Sequence, residues 1–165
     1  MNEAELQWAV DELQIRNILA QLTLLSDMGD IEEWGNLFAE DGSYTTATGA
    51  GWHGREAITE SGRQRRRNGT HGPGSNNRHM SSSVYVRQTG PDTAEAQSYL
   101  EMFQDLIPEG ASADDPDVKK HPTLLVTGYY HDRFRRTSEG WKVAQRELAA
   151  SSHTQRWHAM QKAAK

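Results

Sequence analysis

The sequence predicts an α+β fold in which helices come first and a run of antiparallel strands follows. Two observations support this order. Apolar residues repeat at helical spacing in the first part of the chain, whereas from residue 79 onward they follow the two-residue alternation of strands. The 165 residues show no internal repeat and no domain boundary, so we expect one domain at 1–150 and a polar tail at 151–165.

The first helix is expected to begin near Asp11, because Asp11 and Gln14 resemble a capping box. Gly29 is the predicted C-terminal cap, which places Asp27 at the end of this helix. The helix carries an apolar stripe formed by Ile15, Ile18, Leu19, Leu22 and Leu25.

A second helix and a first strand are predicted between residues 30 and 48. Asp30 and Glu33 resemble a second capping box, followed by a short helix that buries Trp34. Residues 40–42, "EDG", favour a turn, and residues 43–48, "SYTTAT", favour a strand.

A third helix is predicted at 54–67, and it ends in the basic run "RQRRR" at 63–67. Because runs of like charge are usually solvated, we expect these arginines to form an exposed helix face. The Gly- and Asn-rich residues 68–77 predict a loop.

The second half of the chain predicts two long hairpins. Their four strands are expected at 79–88, 93–105, 123–137 and 141–149. The polar segment 107–121 between the hairpins has the length of a lid or a disordered loop. Neither face of these strands is uniformly apolar, which indicates a curved sheet around a cavity of mixed polarity.

Strand alternation sorts the polar candidates onto faces. It places His79 and Tyr85 on one face of the first long strand, and Tyr130 and Asp132 on one face of the third. An inward Arg146 on the fourth strand needs a partner, because buried guanidinium groups are rare unless paired. We expect that partner to be Asp132, Asp27 or an oxygen of a substrate.

Composition excludes several classes of protein. The net charge of −5 gives no basic excess for nucleic-acid binding, and no apolar run reaches the roughly 20 residues of a membrane helix. The acidic N-terminus lacks the layout of a secretion signal. The chain has no cysteine, so disulfides and thiolate chemistry are excluded. We therefore expect a cytoplasmic protein that binds neither nucleic acid nor membrane.

No cofactor or metal is expected. The sequence contains no phosphate loop and no dinucleotide fingerprint. His71, His121 and His131 lack the spacing of a metal site.

Three stretches, taken in order, resemble the SnoaL-like family, which belongs to the nuclear-transport-factor-like cone fold. "LLSDMGDIEEWGNLFAEDGSY" is similar to its helix–helix–strand opening. "NRHMSSSVYV" with "DTAEAQSYLEMF" is similar to its first long hairpin, and "GYYHDRFRRTSEGWKVAQREL" to its last. The resemblance spans residues 8–150. It implies a cone-shaped, curved, antiparallel or mixed sheet that wraps around the N-terminal helices and encloses a pocket.

The resemblance also implies a site. In the dehydratase-like branch, which includes scytalone dehydratase and bile-acid dehydratase, an acid in the "SDMGD" position meets a histidine in the "RHM" position. Here these residues are Asp27 and His79. The implied substrate contacts are Tyr44, Thr46, Ser98, Met102, Gln104 and Gly128, with Tyr130 and Arg146 as further catalytic candidates.

This chain departs from those two relatives at two positions. Leu22 stands where bile-acid dehydratases carry a tyrosine. Gln104 stands where scytalone dehydratase has a second histidine. We therefore leave the specific reaction open between dehydration, isomerisation and cyclisation.

Such a pair performs general acid–base chemistry. A neutral imidazole accepts a proton near neutral pH, while a carboxylate on its other nitrogen fixes the tautomer. His79 would remove a proton next to a carbonyl, Tyr130 or Tyr44 would donate to the enolate oxygen, and Arg146 would polarise it. The expected substrate is a cyclic, largely apolar carbonyl compound such as a steroid or polyketide.

Other interpretations stay open at this point. His79 at a strand start is often structural or solvated, and Asp27 alone could cap a turn. The chain would then be a ligand-binding or accessory subunit without catalytic activity. Epoxide hydrolysis is a third interpretation. It usually needs more than one carboxylate beside the attacking water, and the only inward candidates are Asp27 and Asp132. Because open sheets of this fold pack on one another, we expect a homo-oligomer, either a trimer or a dimer.

Overall fold

A computed structural model describes residues 2–107, 110–112 and 114–153, and it confirms the α+β class. A six-stranded mixed sheet curves around three helices without closing. The helices are α1 (Glu3–Asp27), α2 (Ile31–Gly35) and α3 (Arg55–Arg67). The strands are β1 (Phe38–Thr45), β2 (Gly51–His53), β3 (Asn77–Gly90), β4 (Thr93–Leu106), β5 (His121–Thr137) and β6 (Gly140–His153).

The strands lie in the order β2-β1-β6-β5-β4-β3. Only β1 and β6 run parallel, and the two predicted hairpins, β3–β4 and β5–β6, form the long antiparallel part of the sheet. Their ends extend a few residues beyond the predicted ones. The predicted lid at 107–121 and tail at 151–165 fall partly on residues outside the described ranges.

The prediction that α1 begins at Asp11 is wrong. The cap is Asn2, whose side chain accepts from the Glu5 backbone N–H while Glu5 accepts from the Asn2 backbone N–H, and this completes a capping box. Asp11 instead lies buried inside the helix, where it pairs with Arg136 of β5. The spacing of Asp11 and Gln14 therefore resembled a capping box, although Asp11 is in fact the buried partner of an ion pair.

The predicted turn at 40–42 lies within β1, which is the second correction. The register between β1 and β6 shifts between Phe38 and Ser43, as expected for a β-bulge. A Cβ on Gly42 would lie 3.1 Å from the carbonyl oxygen of Val143, so glycine permits the close approach of β6 at the irregularity.

A second irregularity changes the predicted faces of β3. Ser83 has a φ of 49° at a shift in the β3–β4 register, and one extra residue reverses the alternation beyond it. Tyr85 was predicted to share a face with His79, but it is 60% exposed on the outer face, while Val86 is buried.

Two apolar clusters fill the inside of the sheet. The larger one joins the helices to β1, β5 and β6, and includes Ile15, Leu19, Trp34, Phe38, Ile58, Phe134 and Val143. The smaller one consists of Leu100, Met102, Leu125, Val126 and Tyr130. The cavity described below lies between them, since it borders Trp34 of the first cluster and Met102 of the second.

Candidate active site

Asp27 and His79 make direct contact inside the sheet. The ring Nδ1 of His79 lies 2.5 Å from Asp27 Oδ1, and the backbone N–H of His79 donates to Asp27 Oδ2 over 2.7 Å. The two side chains are 4% and 10% exposed, respectively. Because the carboxylate accepts at Nδ1, that nitrogen carries the proton, and Nε2 is the basic atom left for the cavity.

The position of Asp27 is fixed by the end of α1. Arg66 of α3 donates to the carbonyl oxygens of Leu25 and Gly29, at 2.8 and 2.9 Å. The carbonyl oxygen of Leu25 also accepts from the backbone N–H of Gly29, so Arg66 adds a second contact at the helix end. These contacts also tie α3 to the turn that holds Asp27.

The position of His79 follows from contacts that hold the start of β3 and the loop before it. Asn77 is fully buried, and its side-chain amide donates to the carbonyl oxygen of Thr70. Gln104 of β4 donates to the carbonyl oxygen of Ser75 over 3.1 Å. The loop between α3 and β3 is therefore held to the sheet where His79 enters the cavity.

That loop brings a second histidine to the site. The ring of His71 stacks on the ring of His79 with centroids 5.3 Å apart. Burial lowers the pKa of His71 well below its usual range, and the positive charge of Arg65 and Arg66, and of His79 when it is protonated, lowers it further. His71 is thus a neutral imidazole at physiological pH.

Arg65 is the one arginine of the basic run that enters the cavity. It is only 8% exposed, and its guanidinium lies 4.8 Å from the ring centre of Trp52 and 5.6 Å from that of Tyr44. The prediction of a solvated face is therefore wrong for Arg65, although it holds for Arg63 and Arg67, which pair with surface glutamates. Sequence spacing gave no signal that separates Arg65 from its neighbours.

Tyr130 and Arg146 form the opposite wall. The guanidinium of Arg146 lies 3.5 Å from the ring centre of Tyr130. Asp132 is 3.7 Å from Arg146, which is too far for a hydrogen bond, and neither of its carboxylate oxygens has a hydrogen-bond partner among the described residues. Burial raises the pKa of Asp132 to about 6 against the attraction of Arg146 and His131. Burial likewise raises the pKa of Tyr130, so its hydroxyl stays a donor.

These side chains surround a cavity with two lobes of about 30 Å³ each. Each lobe has room for about two water molecules. The residues that border both lobes are Tyr44, Arg65, His71, His79 and Tyr130. A ring the size of benzene needs about 150 Å³, so some of these boundary side chains must move for a cyclic compound to enter.

Seven of the ten residues predicted for the site come together at this cavity. The wall includes His79, with Asp27 behind it, and also Tyr44, Thr46, Met102, Tyr130 and Arg146. Ser98, Gln104 and Gly128 do not border it. Ser98 accepts from Ser81, Gln104 holds the loop, and the space beside Gly128 is filled by the backbone of Ala149, 2.4 Å from where a Cβ would be. Substrate contact by these three residues stays a prediction.

The site residues that sequence reasoning missed are His71 and Arg65. His71 was considered only as a metal ligand, and it lies in a loop where no periodicity indicates direction. Within the described ranges, no three His, Asp or Glu side chains cluster as metal ligands. In the same part of the chain, no helix has the length and hydropathy needed to cross a membrane.

Comparison with known proteins gives the family and the fold. A family model described as a SnoaL-like domain matches residues 8–147, which confirms the resemblance. An NTF2-like protein with a cystatin-like fold from Novosphingobium aromaticivorans is 26% identical, with a TM-score of 0.67 over 95% of this chain and 92% of that one. No curated protein matches the sequence.

Two more distant structures share the fold. A protein proposed to be a scytalone dehydratase, also from Novosphingobium aromaticivorans, is 19% identical, with a TM-score of 0.64 over 93% of this chain and 91% of that one. LinA is 12% identical, with a TM-score of 0.71 over 92% of each chain.

Proposed function

Because the chain belongs to the SnoaL-like family, whose members process small molecules, we propose that it is a cofactor-independent acid–base enzyme. In this proposal His79 removes a proton next to the carbonyl group of a cyclic substrate. The observation that carries it is the buried contact between Asp27 and Nδ1 of His79, which leaves Nε2 as a base at the cavity wall.

Asp27 is proposed to orient the base and to stabilise the imidazolium that forms. Its two oxygens accept from the ring and from the backbone of the same residue, so the imidazole is held at both ends. A base that is positioned before the substrate arrives needs little reorganisation in the transition state.

Tyr130 and Arg146 are proposed to stabilise the enolate oxygen. The hydroxyl of Tyr130 remains protonated because burial raises its pKa, and Arg146 supplies a fixed positive charge beside it. Arg146 borders the cavity beside Tyr130, while its Nη1 faces Asp132 at 3.7 Å. Donors that face a developing negative charge supply a large share of catalysis in water-poor sites.

The size and polarity of the cavity refine the expected substrate. Two arginines, two histidines and two tyrosines border the lobes. This lining is more polar than a steroid site requires. A single-ring carbonyl compound needs much less movement of the boundary residues than a four-ring steroid does. We therefore favour a small, polar ring. Loss of a β-hydroxyl would make the reaction a dehydration, and return of the proton elsewhere would make it an isomerisation.

The proposal includes a homo-oligomer formed through the outer face of the sheet. Three large side chains lie exposed on neighbouring strands of this face: Tyr85, Tyr99 and Tyr129. Aromatic residues that protrude together are typical of protein interfaces. The same face supports the second candidate function, an accessory subunit that holds a larger protein.

Proton exchange tests the catalytic proposal without knowledge of the natural substrate. Single-ring ketones such as cyclohexanone and cyclohexenone are incubated in D₂O, and loss of the proton signal beside the carbonyl is followed by NMR. We expect wild-type protein to accelerate this exchange and His79→Gln to lose about 10²- to 10⁴-fold of the acceleration.

His53→Gln is the matched control, because His53 is exposed on β2 and does not border the cavity. Circular dichroism and thermal unfolding of both variants verify that the fold is kept. If His79→Gln exchanges these protons as fast as wild type does, His79 is not the base.

A further inference from the structure

Arg65 differs from the other arginines of the basic run. Among the described residues, its side chain donates no hydrogen bond, whereas those of Arg63, Arg66 and Arg67 do. Arg63 contacts three glutamates, Arg66 donates to two backbone carbonyl groups, and Arg67 pairs with Glu60. Arg65 contacts only the faces of Tyr44 and Trp52. These ring contacts offset part of the cost of burying a cation, but they leave its N–H groups unused.

The two acids of the cavity do not compensate the charge of Arg65. Both oxygens of Asp27 accept from His79, and Asp132 faces Arg146. Arg65 is only 8% exposed and has no anionic partner among the described residues, and a buried charge is costly unless it is paired. Arg65 is thus a buried cation that an incoming anion would stabilise.

The donors of Arg65 face the empty space. Arg65 borders both lobes of the cavity, and none of its nitrogens is among the fully enclosed polar atoms that lack a partner. Its backbone carbonyl accepts from the N–H and hydroxyl of Thr70, which fixes the helix end relative to the loop that carries His71. The side chain of Arg65 therefore packs against the rings of Tyr44 and Trp52 on one side and faces the cavity on the other.

We propose that Arg65 binds a carboxylate of the substrate, so that the enzyme prefers cyclic acids to neutral ketones of the same size. This inference rests on the proposed function and names its substrate class. The planar fork of a guanidinium matches a carboxylate in two parallel hydrogen bonds. The carboxylate lies at Arg65, and the reacting carbon lies towards His79 and Tyr130, which border the same two lobes.

Binding of benzoate and benzamide tests this proposal. The two probes have the same ring and nearly the same size, but only benzoate is charged. Calorimetric titration at pH 7.5 and low salt gives both affinities, and quenching of tryptophan fluorescence reports contact near Trp52. We expect wild-type protein to bind benzoate at least tenfold more tightly than benzamide and to lose this preference in Arg65→Gln.

The controls separate Arg65 from other cations. Arg63→Gln, on the exposed side of the same helix, is expected to keep the preference, and Arg65→Lys to keep part of it, because lysine retains the charge without the fork. Equal or undetectable binding of the two probes to wild type overturns the proposal, and so does a preference that persists in Arg65→Gln.

The outcome is independent of catalysis. Benzoate has no proton next to its carboxyl group that a base can remove, so the titration measures recognition alone. Exchange lost in His79→Gln together with equal binding of the two probes would leave the proposed function standing and refute the role of Arg65. The reverse pair of results would refute the function and keep the anion site.

Discussion

Two buried carboxylates face cationic or basic partners at the cavity, and they are held in different ways. Asp27 makes two short hydrogen bonds, to the ring and to the backbone of His79. Asp132 makes none, and its distance to Arg146 is 3.7 Å. Both acids are almost completely buried, so burial alone does not explain the difference.

The contrast separates a rigid pair from an adjustable one. The hydrogen bonds of Asp27 define one orientation of the imidazole, which is what a general base requires. Asp132 interacts with Arg146 through charge alone, and this attraction only weakly restricts direction. Arg146 is therefore able to turn towards a substrate oxygen without breaking a hydrogen bond to Asp132. The structure thus combines fixed geometry at the base with adaptable charge at the oxyanion side.

Asp27→Asn is expected to have the largest effect. The amide presents either an oxygen or an NH₂ group to the ring, so the tautomer of His79 is no longer fixed and the imidazolium loses its counter-ion. We expect ketone exchange to fall about 10²- to 10⁴-fold. The loss of charge-assisted acceptors is also expected to lower the free energy of unfolding by about 1.5–3 kcal/mol. NMR exchange and urea unfolding measure the two effects.

Asp30→Asn is the control for this change, because asparagine caps α2 as well as aspartate does. Asp132→Asn provides the comparison inside the cavity. The distinction between a rigid and an adjustable pair fails if Asp132→Asn reduces exchange as much as Asp27→Asn does.

Asp132→Asn is expected to change the pH dependence of stability. The carboxyl titrates near pH 6 in the folded state and near 3.8 when unfolded, so the folded state binds the proton more tightly. Its contribution to stability is fully present below about pH 3.8 and is lost as pH rises towards 6, by about 3 kcal/mol. Asparagine removes this dependence. The variant also loses the partner of Arg146. Because the arginine stays charged, this loss changes the free energy of unfolding by nearly the same amount at every pH.

Urea unfolding of both proteins between pH 4 and 7.5 measures the difference. The stability of Asp132→Asn relative to wild type is expected to rise over that interval. A difference that is flat with pH would mean that Asp132 is ionised throughout, with its pKa near the ordinary value.

The order of elements could be predicted, because it depends on patterns within short segments. The pairing of Asp27 with His79 joins residues far apart in the chain, and it followed from the family resemblance and not from those patterns. The faces beyond Ser83 could not be predicted, because a bulge of one residue reverses alternation and a serine gives no sign of it. Arg65 could not be separated from Arg63, since burial on a helix depends on which face the sheet covers.

His71→Asn is expected to have the smallest of these effects. It tests the surroundings of the rigid pair, because the ring of His71 stacks on that of His79. Burial and nearby positive charge keep His71 neutral in the folded state, so its folded pKa lies well below 6.5. As pH falls below 6.5, the unfolded chain takes up a proton that the folded chain does not, and wild type loses about 1 kcal/mol between pH 6.5 and 5.5. Asparagine does not titrate, so the variant lacks this loss. The free energy of unfolding by urea at the two pH values measures it, with His53→Asn as the exposed control. An equal loss in His71→Asn and wild type would show that His71 accepts a proton in the folded state, and the imidazole stacked on His79 would then carry charge into the cavity.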